Sequence, residues 1–74
     1  MLETVKFNKV LYRYREEDDK TLLLYNLRNG AIYFLTGEAN SVVQKFNDNE
    51  LIEVSDDNKI IQFLKMINVI ENIY

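Results

Sequence analysis

Residues 22–38, LLLYNLRNGAIYFLTGE, decide the fold. Leu22 to Tyr25 and Ala31 to Leu35 are short apolar runs rich in branched and aromatic side chains, and Asn29-Gly30 stands between them. An Asn-Gly pair between apolar runs is the strongest short-range hairpin signal, because a type I′ turn needs positive φ at both central residues. Three consecutive leucines predict a strand buried on both faces, hence one in the middle of a sheet. The run from Ala31 to Leu35 carries neither Pro nor charge. Natural sheet edges are usually blunted by one of these, so a bare strand is either covered or kept for a visitor.

Working outward, Val10 to Arg15 alternates, with Val10, Tyr12 and Tyr14 on one side and Leu11, Arg13 and Arg15 on the other. Period two predicts a first strand of the meander. Glu16-Glu17-Asp18-Asp19-Lys20 then suits a solvated hairpin loop. Thr36 is placed to cap a helix with Glu38 in its first turn. Ala39, Val42, Val43 and Phe46 give that helix an apolar stripe, and Asn47-Asp48-Asn49 ends it. Glu50 to Val54 fits either one helical turn or a short strand. Ser55-Asp56-Asp57-Asn58 caps a last helix, on which Ile60, Phe63, Leu64 and Ile67 form a stripe widened by Ile61. Val69, Ile70 and Ile73 are expected to finish the core. The expected fold is a single α+β domain over residues 1–74: a winged-helix-like three-stranded antiparallel meander followed by two or three helices.

Composition narrows the chemistry. The chain of 74 residues holds no Cys and no His. That removes disulfides, thiol nucleophiles, most zinc and iron sites and all His-dependent acid–base catalysis. Asp18-Asp19 and Asp56-Asp57 are sequence neighbours and do not face each other across a cleft. Ser41 and Ser55 have no His to activate them. Gly30 and Gly37 are isolated and form no phosphate-cradling loop. A non-enzyme without cofactor is expected. The net charge is −3 and the sequence pI about 4.8, a poor match to phosphate backbones. Arg13, Arg15 and Arg28 near Tyr12, Tyr14 and Tyr25 are a weak nucleic-acid signal, and the last helix has only Lys59 and Lys65 to offer. The first residues lack a signal-peptide core, and no apolar run is long enough to span a bilayer, so a cytoplasmic protein is expected.

The strand Leu22 to Tyr25, the turn at Gly30, the strand Ile32 to Gly37 ending Leu-Thr-Gly, and the apolar helix Ala39 to Phe46 together resemble the PqqD-like peptide-recognition domains, also called RiPP recognition elements. Asp57 to Met66 followed by Asn68-Val69-Ile70 resembles the family's final helix and the strand-like segment after it. The likeness spans roughly residues 9 to 71. It departs where the family has a full middle helix: only Asn47 to Asp56 are available, so that helix must be shortened or replaced.

The resemblance implies a non-catalytic adaptor. Such an adaptor binds the leader segment of a ribosomally made precursor peptide and presents it to a separate modifying enzyme, such as a radical SAM maturase or a leader peptidase. The leader adds as a strand along Ala31, Ile32, Tyr33, Phe34 and Leu35, and its side chains enter a groove against Lys59, Gln62, Phe63 and Met66. One of Tyr33 and Phe34 is expected to fill the core while the other faces the peptide. No nucleic acid and no membrane partner is expected. The alternatives are a self-associating module that dimerises through the sheet edge, and a winged-helix nucleic-acid-binding regulator.

Overall fold

The computed structural model describes residues 1–73; Tyr74, the last residue of the expected domain, lies outside the described residues. Six strands form two antiparallel sheets, and two helices are interleaved with the last strands in sequence. The meander is β2 (Tyr12–Glu16), β3 (Thr21–Asn26) and β4 (Ile32–Thr36), with β3 central. The second sheet has β1 (Leu2–Phe7) at its centre, flanked by β5 (Leu51–Ser55) and β6 (Ile70–Asn72). Helix α1 (Gly37–Gln44) follows β4 directly and ends in a 3-10 turn, Lys45–Asn47; α2 (Lys59–Met66) lies between β5 and β6.

The α+β class and the meander are as expected, but the order is not strands followed by helices. Residues 51–55 are a strand because Ile52 and Val54 alternate inward against β1, while Leu51 and Glu53 face out. This strand occupies the place expected of a shortened middle helix. Residues 2–7 do not cover the meander. They form the centre of a sheet of their own, with Val5 fully buried and Phe7 nearly so.

One core lies between the sheets and helices. Tyr12, Leu22, Leu24 and Leu35 of the meander meet Val5, Phe7, Val43, Leu64 and Ile70. Phe7 meets Tyr14 edge-on at 5.1 Å between ring centroids and Phe46 at 5.9 Å, which ties β1 to β2 and to the end of α1. Asn58 caps α2, its side-chain oxygen accepting from the Ile60 and Ile61 amides.

Local expectations shift in four places. The hairpin between β3 and β4 is not a two-residue type I′ turn. Its loop is Leu27–Gly30, and of these only Gly30 has positive φ, +75°. Asn26, which is buried, organises the loop: its side-chain oxygen accepts from the Arg28 and Asn29 amides, and its carbonyl accepts from the Gly30 amide. Val10 is exposed in a turn built on Asn8, whose backbone and side-chain oxygens accept from the Tyr12 and Leu11 amides. Thr36 stands at the N-cap of α1 in extended conformation, but its hydroxyl makes no capping bond. On α2 the buried pair is Ile61 and Leu64. Phe63 is exposed, and Ile73, beyond the helix, is 37% exposed rather than part of the core.

Candidate functional site

Two three-stranded sheets have four outer strands, and three of them carry charge. β2 has Arg13, Arg15 and Glu16; β5 has Glu53; the three-residue β6 has Glu71. These are the devices that discourage strand pairing. β4, Ile-Tyr-Phe-Leu-Thr, has none of them. It pairs with β3 on one side, and among the described residues no backbone group of the chain pairs with its other side.

The register shows which groups face outward. The Asn26 amide donates to the Ala31 carbonyl at 2.9 Å, so Asn26 and Ala31 are a hydrogen-bonded pair. In an antiparallel ladder such pairs recur every second residue. Leu24–Tyr33 and Leu22–Leu35 therefore bond across the hairpin, and Tyr25–Ile32, Leu23–Phe34 and Thr21–Thr36 do not. The β2–β3 ladder gives the same phase for β3, because the Leu27 amide donates to Leu11 and the Glu17 amide to Thr21. The N–H and C=O groups of Ile32 and Phe34 and the N–H of Thr36 thus point away from the sheet, while the Thr36 carbonyl, at the N-cap of α1, is taken up by the first turn of that helix.

Side chains alternate in the other direction. Tyr33 and Leu35 lie on the core side, while Ile32 and Phe34 lie on the opposite face, 55% and 71% exposed. Tyr33 packs half-buried against the core, and Phe34 is exposed. Ala31 is half-buried, closes the hairpin loop by pairing with Asn26, and stands one residue before the strand.

Helix α2 runs opposite to β4. At its start the Asn58 amide donates to the Glu38 carboxylate, just past the end of β4. At its finish the Ile67 carbonyl accepts from the Tyr12 hydroxyl at 2.6 Å, and Tyr12 neighbours Tyr33 at the start of β4. A turn of 100° per residue separates the two flanks of the helix. One flank faces the second sheet: Lys65 bonds Glu3, and the Gln62 amide donates to the Asp56 carbonyl. The other flank carries Ile60, Phe63 and Ile67. Lys59 and Met66 lie exposed on the crest between them. Of the residues expected to share a site, Phe63 stands on the flank away from the second sheet, Lys59 and Met66 border it, and Gln62 is turned away. Ile60 and Ile67 belong to the same flank; the sequence put them on the buried stripe, and nothing in their spacing marks them as half-exposed. Thr36, expected only as a helix cap, also carries the last outward amide of β4.

Asp18, Ser41 and Ser55 are held by local backbone, and Asp56 and Asp57 pair with the N-terminal ammonium. Asp18 accepts from the Lys20 and Thr21 amides, the Ser41 hydroxyl donates to the Gly37 carbonyl, and the Ser55 hydroxyl accepts from the Asp57 amide. Among the described residues no group of three His, Cys, Asp or Glu side chains comes together to hold a metal ion, and no helix is long and apolar enough to cross a membrane. No family model, curated protein or solved structure matches this chain.

Proposed function

We propose that this domain is a non-catalytic peptide adaptor. It receives an extended segment, the leader of a ribosomally made precursor peptide, as an added strand along β4, and presents it to a separate modifying enzyme. The observation that carries this reading is the contrast among the four edges: three are guarded by charge and β4 alone is bare. A visitor would bond to the free N–H and C=O groups of Ile32 and Phe34 and to the N–H of Thr36. Each main-chain bond contributes only about 0.5–1.5 kcal/mol net, so apolar side chains dropping toward Phe63, Ile60 and Ile67 supply much of the affinity, at about 25 cal/mol per Å² buried. Lys59 is available to an acidic residue of the peptide. Within this reading the meander with α1 and α2 serves as the winged-helix-like recognition unit, and the second sheet braces α2 from behind. Holding the leader near the enzyme raises its effective concentration there.

Amide hydrogen exchange during titration with short peptides encoded beside the gene tests the proposal. Without peptide, Ile32, Phe34 and Thr36 should exchange fast, and Tyr33 and Leu35 slowly. A true ligand should slow the first three and leave the other two unchanged. Failure of every such peptide to bind at about 10–100 μM, a range worth roughly 5.5–7 kcal/mol, would sink the proposal.

A further inference from the structure

The loop that leads into β4 holds the only Asn-Gly pair of the chain. An Asn side chain is open to attack by the backbone nitrogen that follows it, because the ring so formed joins two groups already held side by side. What decides is whether the fold leaves the amide group, that nitrogen and the space around them free. The chain has nine asparagines. Asn26 and Asn40 are buried, and five others spend their Nδ2 hydrogens on carbonyl or carboxylate oxygens. Asn68 precedes Val69, which is β-branched and fully buried. Asn29 differs on every count. It is exposed, and among the described residues its Nδ2, the group that has to leave, bonds to nothing. Gly30 brings no side chain, and a Cβ built on it would meet nothing within 4 Å.

We propose that Asn29 is a site of spontaneous covalent modification in the folded chain, converted through a cyclic imide with Gly30 to aspartate and isoaspartate. The Gly30 nitrogen gives its proton to solvent base and bonds to the Asn29 Cγ. The bond from Cγ to Nδ2 then breaks, and Nδ2 takes up a proton and departs as ammonia. Water adds to one of the two imide carbonyls and opens the ring, with no oxidant or reductant consumed. The loop already holds a donor where charge develops in the first step. The Asn29 Oδ1 accepts from the Ala31 amide at 2.9 Å, and it is this oxygen that becomes negative when Cγ turns tetrahedral. The contact that opposes the step is the bond from the Gly30 amide to the Asn26 carbonyl, 2.9 Å. It closes an exposed loop, where such bonds open at low free energy. Isoaspartate lengthens the main chain by one carbon just ahead of β4, and both products add a negative charge there. The chemistry needs no ligand, so it stands independently of peptide capture.

Ion-exchange chromatography of the folded protein, aged in mildly alkaline buffer, tests the proposal. A species one charge more negative than the formal −3 should grow with time. Peptide mapping should place the change at position 29, part as aspartate and part as isoaspartate, and the isoaspartate fraction should accept a methyl group from an isoaspartate-specific carboxyl methyltransferase. Asn29→Gln has a longer side chain that disfavours the ring, so it should lose the new species while its circular dichroism spectrum stays that of the parent. A second arm needs no variant. The free peptide Leu-Arg-Asn-Gly-Ala, residues 27–31, aged in the same buffer, sets the time over which an unrestrained Asn-Gly pair converts. A folded chain still intact when that peptide has fully converted overturns the proposal. So does earlier conversion at any other asparagine, or an acidic species that persists in Asn29→Gln.

Discussion

Tyr12 is almost wholly buried, yet its hydroxyl is satisfied at 2.6 Å by the carbonyl of Ile67, far along the chain. The bond ties β2 to the residue that ends α2. Tyr12→Phe keeps the ring and removes the donor, leaving that carbonyl without its protein partner. The expected loss is about 1–2 kcal/mol, read as a lower urea midpoint with an unchanged slope. Burial also pushes the Tyr12 hydroxyl above its ordinary value of 10.0, and Tyr14 shifts the same way for the same reason. The neutral form is then favoured in the folded chain. Stability is full below about pH 10, where unfolded tyrosine ionises, and falls as pH rises through the folded value. Tyr12→Phe should therefore lose less stability than the parent between neutral and strongly alkaline pH. Glu3 is the opposite case. Hydrogen bonds from Lys65 and then Asn72 hold its carboxyl below the ordinary 4.5. Its contribution is present above that value and is lost as pH falls through the folded one. Thermal melts of Glu3→Gln should accordingly show a smaller drop between neutral and acidic pH than the parent.

At the scale of the element, β4 offers a test that separates binding from folding. The Phe34 amide points outward and the Leu35 amide is bonded to Leu22. Proline at the first position removes a donor the sheet does not use, whereas proline at the second breaks a ladder bond at the strand's one buried residue. Phe34→Pro should stay folded and lose peptide binding, and Leu35→Pro should unfold. Retention of full affinity by a folded Phe34→Pro would place the peptide elsewhere. The bareness of this strand is legible in its five residues, because charge and Pro are the devices that guard an edge and neither occurs there. The α1 stripe is legible too, since Ala39, Val42 and Val43 all reach the core. The turn before β4 is harder to read. Asn-Gly signals a hairpin but not its length, and here the length is set by Asn26, whose side chain binds two amides of the loop. Strand β5 is unreadable for a different reason: Leu51, Ile52 and Val54 fit both periods, and only pairing with β1 decides between them. On α2 the phase of the buried side depends on where the second sheet grips it, through Lys65 and Glu3. That long-range contact leaves no mark in the helix's own spacing.

At the scale of the whole molecule, the second sheet gives the domain its second wall. β1 takes β5 on one side and β6 on the other, and these two strands enclose α2 in sequence. Both ends of the helix are thereby anchored to a strand that precedes the meander. The two sheets share no backbone ladder, but their inward side chains form one cluster. A shared core makes the sheets open together, whereas separate ladders alone would allow each to open by itself. Val5, fully buried at the centre of the second sheet, decides between these. Val5→Ala removes two methyl groups from the core and should cost roughly 2 kcal/mol. If the core acts as one unit, native-state hydrogen exchange should report that loss equally at the Val5 amide and at Leu24, in the middle of the other sheet. An undiminished Leu24 would mean that the meander stands by itself, and that the brace behind α2 can loosen without disturbing β4.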